Sequence, residues 1–154
     1  MFFHFETDFV DSLRCIPMVV RYRLDSCGVK LKLNHWHQFS MTQRQYLIDC
    51  PFDSPEDITA YAEKLQAWVT AYTGTPAKTL EIPENPAWFN TEEIPAQVTV
   101  EFIAKTGCES FPRLAWAQLT PLQRFALIKL SQPGHENRNF LPALQEFGIL
   151  AKND

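Results

Sequence analysis

The chain has 154 residues, of which 45% are hydrophobic and 21% charged, and its formal net charge at pH 7 is −4. This length fits one domain, which would bury roughly 70% of the surface of its unfolded chain. The composition excludes a chain that is disordered throughout. The acidic balance argues against a general affinity for nucleic acid or for an anionic membrane.

The N-terminus gives no sign of a targeting segment. It reads MFFHFETDFVD, with three acidic residues and neither a basic region nor a long apolar run. A secretory signal or a transit peptide would need those features, and no later stretch approaches the length of a membrane span. We therefore expect a cytoplasmic protein with no membrane contact.

Cysteine and histidine spacing predicts no metal site. The four cysteines form no CxxC pair: Cys15, Cys27, Cys50 and Cys108. In a reducing compartment we expect them to be buried thiols that pack as small hydrophobic groups. His35 and His37 form an HxH pair, but no neighbouring residue completes a ligand set with familiar spacing.

The first apolar stripe predicts an amphipathic helix. Its members are separated by three or four residues: Phe9, Leu13, Ile16, Val20 and Leu24. This spacing places them on one helical face. Pro17 interrupts the stripe and must either kink the helix or open a second one as its first residue. Gly28 is placed to end the helix.

An internal repeat relates the two halves of the chain. Residues 36–48 read WHQFSMTQRQYLI, and residues 116–128, displaced by 80, read WAQLTPLQRFALI. In both copies a hydroxyl residue precedes a glutamine by three positions, which is the pattern of a helix capping box. Each copy therefore predicts the start of a helix. The repeat also predicts that Trp36 and Trp116 occupy equivalent places.

The remaining patterns complete a helical chain. Ser54, Pro55 and Gly74 bound a strong amphipathic helix over residues 55–73. The Pro-rich residues 74–94 are too apolar for a free linker, and we expect an ordered strap. Residues 95–107 alternate like a strand but lie between a proline and a glycine, which favours a helix. Two further helices are predicted at 121–131 and about 140–147.

The predicted fold class is all-α. We expect about six or seven helices in one compact domain that covers residues 1–154. Its two related halves would span about 9–73 and 95–150, joined by the strap at 74–94.

Two surfaces are candidates for binding. The densest polar stretch contains His135, Glu136, Asn137 and Arg138 in the loop 131–140. Loops between helices often carry binding residues, although the same composition suits a solvated loop whose Asn139 caps the last helix. The second candidate is the basic face of Arg14 and Arg21 on the first helical segment, which solvation and internal ion pairs could also explain.

No motif for catalysis is present. The sequence lacks GxxxxGK[ST], GxGxxG, GxSxG and HExxH. We therefore predict no catalytic residue, no metal and no resident cofactor, and the balance favours a protein that is not an enzyme.

The chain resembles the cyanobacterial nitrate reductase-associated proteins in three segments. Residues 1–33 read MFFHFETDFVDSLRCIPMVVRYRLDSCGVKLKL, residues 36–40 read WHQFS, and residues 119–144 read LTPLQRFALIKLSQPGHENRNFLPAL. The resemblance covers nearly the whole chain. It implies a small protein tied to assimilatory nitrate reductase, a ferredoxin-dependent enzyme with a molybdopterin cofactor and an iron–sulfur cluster.

The resemblance implies an accessory role. It suggests a factor that binds nitrate reductase, in its apo-form, and assists cofactor or cluster insertion, folding or stability. The alternative is a small enzyme that acts on a molybdopterin precursor or a nucleotide through the loop 131–140. A nucleic-acid-binding regulator is disfavoured by the acidic charge balance.

Overall fold

The computed structural model describes residues 2–7 and 13–151. These residues form eight α-helices and one small sheet, which confirms the predicted all-α class with slightly more helices than expected. The helices are α1 (Met18–Cys27), α2 (Leu33–Gln38), α3 (Met41–Asp49), α4 (Pro55–Thr73), α5 (Ala96–Thr106), α6 (Arg113–Gln118), α7 (Pro121–Leu130) and α8 (Phe140–Glu146). Short 3₁₀ turns lie at His4–Glu6, Ala87–Phe89 and His135–Asn139.

The sheet joins two short strands of the first half. Strand β1 (Val29–Lys30) pairs antiparallel with β2 (Lys78–Thr79), and Val29 lies opposite Thr79. The close approach of the chain explains Gly28, which ends α1 with φ of 77°. A Cβ atom there would come within 2.8 Å of the Leu80 carbonyl oxygen and would adopt a strained backbone conformation.

The predicted stripe near the N-terminus does not form one helix. Phe9 lies outside the described residues, and Leu13 has φ of 53°, which a helix cannot contain. Pro17 occupies the position just before α1, so the chain opens a helix there and does not kink one. The apolar spacing wrongly indicated a helix over residues 13–17, because a pattern of buried residues does not by itself specify the backbone conformation.

A buried carboxylate caps α1 from outside the helix. Pro17 has no side-chain acceptor for the first helical N–H groups. Glu6 supplies one: its Oε1 accepts the Met18 N–H at 2.6 Å, and its Oε2 accepts the Phe3 N–H at 3.0 Å. The Glu6 side chain is 2% exposed. One carboxylate thus fixes the 3₁₀ turn at His4–Glu6 onto the start of α1.

The chain divides into two compact units, Met1–Ile82 and Pro83–Asp154. The boundary falls within the predicted strap at 74–94. Trp88 in the strap is buried, whereas three other apolar strap residues are exposed: Leu80, Ile82 and Phe89. The strap therefore contributes one aromatic anchor to the core of the second unit.

Both units contain the same arrangement around a tryptophan. Trp36 is the fourth residue of α2 and Trp116 the fourth residue of α6, and both are fully buried. The Trp36 indole N–H donates to the Leu13 carbonyl at 2.7 Å, and that of Trp116 donates to the Asn90 carbonyl at 2.9 Å. The predicted equivalence of the two tryptophans is confirmed.

The two predicted capping boxes are present. Ser40 Oγ accepts the Gln43 N–H at 3.1 Å, and Thr120 Oγ1 accepts the Gln123 N–H at the same distance. In both boxes the glutamine side chain accepts the N–H of the hydroxyl residue in return. Ser54 caps α4 in the predicted way, and residues 95–107 contain helix α5 and no strand.

The prediction for the cysteines is wrong at two of the four positions. Cys27 and Cys50 are buried, but Cys15 and Cys108 are exposed. Cys15 lies in the irregular segment before α1, and Cys108 follows the glycine that ends α5, so neither belongs to a packed helical face. Burial raises the pKa of the Cys27 thiol to about 11, which keeps it protonated and unreactive.

Candidate functional site

The predicted polar loop forms a 3₁₀ turn at the surface. His135, Glu136 and Arg138 are exposed there. Asn137 is partly buried, and its Nδ2 donates to the Leu130 carbonyl at 3.0 Å, which secures the turn to the end of α7. Asn139 precedes α8 but makes no side-chain cap. Asn137 thus has a clear structural task, whereas the other three residues of the loop are exposed at its surface.

The predicted basic face is divided between two kinds of backbone. Arg14 is exposed in the irregular segment before α1, and its carbonyl oxygen lies 2.7 Å from His37 Nε2. Arg21 lies on α1 and is partly buried. The sequence predicted that the two arginines share one helical face, and this prediction is wrong because Arg14 lies outside the helix.

A cavity in the second unit was not predicted. It has a volume of about 610 Å³ and is formed by the end of the strap, helix α5 and the loop that leads into α6. Its lining consists of Asn90, Glu92, Glu93, Ile94, Thr99, Ser110, Phe111 and Arg113. Six of these eight residues are polar or charged, and Ile94 and Phe111 are the apolar ones. Concave surfaces of this size are common binding sites.

The base of the cavity is formed by Phe111, which belongs to a cluster of aromatic rings. Phe111 is buried, and its ring centroid lies 4.8 Å from that of Phe102 and 5.7 Å from that of Trp116. The Trp116 ring meets it edge to face at 89°. Such a packed base is rigid, because each ring is fixed by the next.

Asn90 fixes the acidic rim of the cavity. Its backbone carbonyl accepts the Trp116 indole N–H, and its Oδ1 accepts the N–H groups of Glu92 at 2.9 Å and Glu93 at 3.0 Å. This side-chain turn orders the backbone that carries both glutamates. The Glu92, Glu93 and Arg113 side chains are exposed, so two carboxylates and one guanidinium surround an apolar base.

Several exposed apolar residues are neighbours in sequence of residues that line the cavity. Phe89, Val100 and Leu114 each follow or precede a lining residue in sequence, and Leu114 is 79% and Val100 59% exposed. Ile103, also exposed, lies one helical turn beyond Thr99 on α5. Clusters of exposed apolar groups with a polar rim mark interaction surfaces more often than isolated ones do.

One sequence signal could have indicated this surface. The alternation of Val98, Val100 and Phe102 resembles a strand, yet the segment is helical and buries only Val98 and Phe102. Val100 is thus an apolar residue that the core does not use. The rest of the cavity could not be recognised, because its residues come from three segments that only the tertiary fold brings together.

The structure offers no familiar metal or membrane feature in its described part. His35 and His37 lie on α2, and within residues 2–7 and 13–151 no three His, Cys, Asp or Glu side chains are grouped so as to hold a metal ion. Among the helices that the structure describes, none has both the length and the apolar character needed to cross a bilayer.

Comparison with known proteins identifies a family for the chain. The family model described as conserved nitrate reductase-associated protein matches residues 2–147, which is nearly the whole chain. This finding agrees with the resemblance seen in the sequence. No curated protein and no solved structure matches the chain.

Proposed function

The chain belongs to the conserved nitrate reductase-associated protein family, and from this premise we propose that it is an accessory or maturation factor for nitrate reductase. It binds the reductase in its apo-form and assists cofactor or cluster insertion, folding or stability. The observation that carries the proposal is the family match over residues 2–147. The exposed apolar surface beside the cavity supports a role in protein binding.

Such a role requires a preference for one state of the reductase. A binding partner shifts a conformational population only through its differential affinity for the two states. An accessory factor that favours the apo-form would keep it ready to accept its cofactors and would dissociate once the loaded form is complete. The exposed side chains of His135, Glu136, Arg138 and Arg14 stay candidate contacts for this interaction.

The test is a calorimetric titration against purified nitrate reductase in apo and cofactor-loaded forms at physiological salt. We expect measurable binding to the apo-form and at least tenfold weaker binding to the loaded form, which is a difference of about 1.4 kcal/mol. Equal affinity for both forms would replace the maturation role by that of a stabilising subunit. Absence of binding to either form would contradict the proposal.

A further inference from the structure

We propose that the cavity of the second unit is the docking surface for nitrate reductase, and that its occupant is a reductase segment that carries Lys or Arg beside apolar side chains. The docking face consists of Glu92, Glu93, Val100, Ile103, Arg113 and Leu114 around the base formed by Phe111. This inference rests on the proposed function, since it names the surface through which the accessory role is exerted.

Helix α1 of the first unit offers a comparison for helix α5, in a register of 78 residues that differs from the 80 of the internal repeat. Helix α1 of the first unit also follows a proline and ends at a glycine with positive φ. Val20 and Leu24 are buried in α1, as Val98 and Phe102 are in α5, each pair displaced by 78 residues (98 − 20 and 102 − 24). The two helices therefore use the same register to face their own cores.

This register shows that the apolar exposure on α5 is not a requirement of the fold. In α1 the positions that correspond to Val100 and Ile103 are held by Tyr22 and Asp25, which are half-buried. The first unit thus places polar-tipped and charged side chains where the second unit exposes Val and Ile. Exposed apolar groups without a packing task favour an external partner.

The charge around the cavity specifies the chemistry of that partner. Two of the residues that line the cavity are glutamates and one is an arginine, so the lining is acidic by one charge. Glu101 pairs with Lys105 at 3.6 Å on α5, whereas Glu92 and Glu93 stand exposed at the cavity rim. Complementary charge steers association and selects the partner, so a cationic segment is the occupant that this rim favours.

The cavity offers separate places for the two parts of such a segment. An apolar side chain would lie over Phe111 and Ile94, and a cationic one would reach Glu92 and Glu93. Because Asn90 already orders the backbone of both glutamates, little backbone conformational entropy is lost when they bind. Arg113, on the helix that follows, can donate hydrogen bonds to a carboxylate or carbonyl of the same segment.

The experiment measures binding of two variants to the apo-reductase by calorimetry at 50 and 300 mM salt. The variants are Glu92→Gln with Glu93→Gln, and Val100→Ala with Leu114→Ala. We expect each to bind at least tenfold more weakly than the unchanged protein at 50 mM salt, and the charge variant to lose most of the salt dependence. All altered side chains are exposed, so far-ultraviolet circular dichroism should be unchanged.

The first unit offers matched controls. Glu56→Gln with Glu63→Gln makes the same charge change beside a different cavity on α4, and Leu33→Ala removes a half-exposed leucine from α2, the counterpart of α6. Both controls should bind like the unchanged protein. If the control variants lose as much affinity for the apo-reductase as the cavity variants do, the assignment of this docking face is overturned.

The remaining outcomes separate this inference from the proposed function. If the unchanged protein binds the reductase and both cavity variants bind equally well, the docking face is wrong and the accessory role stands. If the unchanged protein binds neither form, both are wrong. Concentration-dependent dimerisation in sedimentation that Leu114→Ala abolishes would assign the face to a second copy of the chain and overturn the proposed occupant.

Discussion

In each unit one arginine binds the backbone carbonyls at the end of the tryptophan-bearing helix. Arg44 donates to the carbonyls of Trp36, His37 and Leu13, all at 3.0 to 3.1 Å. Arg124, displaced by 80 residues, donates to three carbonyls in the second unit: Trp88, Trp116 and Leu119. A cation is favoured there because the carbonyl end of a helix carries partial negative charge. The repeated Trp and Arg are thus structural residues.

The two arginines differ in burial, and their contributions to stability should differ accordingly. Arg124 is only 4% exposed, and burial lowers the pKa of its guanidinium, whereas Arg44 is partly open to solvent. Arg124→Ala leaves buried carbonyls without donors and should lower the free energy of unfolding by about 3 kcal/mol. Arg44→Ala, whose carbonyls water can reach, should cost about 1 kcal/mol.

Guanidinium-induced unfolding of both variants, followed by tryptophan fluorescence, checks this order. Arg→Lys at each position serves as the control, because Lys keeps the charge but lacks the planar guanidinium whose separate nitrogens reach the three carbonyls. If Arg44→Ala and Arg124→Ala lower the free energy of unfolding equally, burial does not determine how much each arginine contributes to stability.

At the scale of the elements, helix ends were the most predictable feature. The capping boxes at Ser40, Ser54 and Thr120 act within four residues of sequence, so a local pattern is sufficient to find them. The sequence left two alternatives at Pro17, a kink or a new helix, and the structure shows the new helix. The local pattern could not decide between them because the cap of α1 comes from Glu6, twelve residues before the N–H that it accepts. The cavity was missed for the same reason, since only tertiary packing brings its three segments together.

The cap of α4 predicts a dependence of stability on pH. The N–H groups of Asp53 and Ser54 donate to the Asp57 carboxylate at 3.1 and 3.2 Å and lower its pKa from the ordinary value of 3.8. The folded state therefore binds a proton at Asp57 less readily than the unfolded state does. This carboxylate stabilises the fold above pH 3.8 and loses that effect as the pH falls through its lowered pKa.

Asp57→Asn should remove this part of the pH dependence. Urea unfolding at pH 7 should show a lower free energy of unfolding for the variant. The difference from the unchanged protein should shrink as the pH is lowered below the ordinary pKa of the carboxyl. Asp53→Asn is the control, because its backbone N–H to Asp57 is retained. If Asp57→Asn loses stability at acid pH in the same way as the unchanged protein, this role of Asp57 is contradicted.

At the scale of the whole molecule, the open question is how the two units unfold. The first unit has 82 residues and the second 72 (154 − 82), each with its own tryptophan and arginine arrangement. Cores of this size rarely supply more than about 3–5 kcal/mol of stability by themselves. A chain of 154 residues buries a larger fraction of its surface, which favours the single domain that the sequence predicts.

A core substitution in one unit tests this prediction by its effect on the other. Leu65 is fully buried in α4, and Leu65→Ala should lower the free energy of unfolding by about 2–5 kcal/mol. If the chain unfolds as one domain, amide hydrogen exchange should show the same loss of protection for the slowest amides of α3 and of α7. Leu33→Ala, at a half-exposed position, should change neither the free energy of unfolding nor the protection of these amides. Loss of protection confined to α3 would mean that the units unfold separately, because α7 then keeps its own core when that of the first unit is weakened.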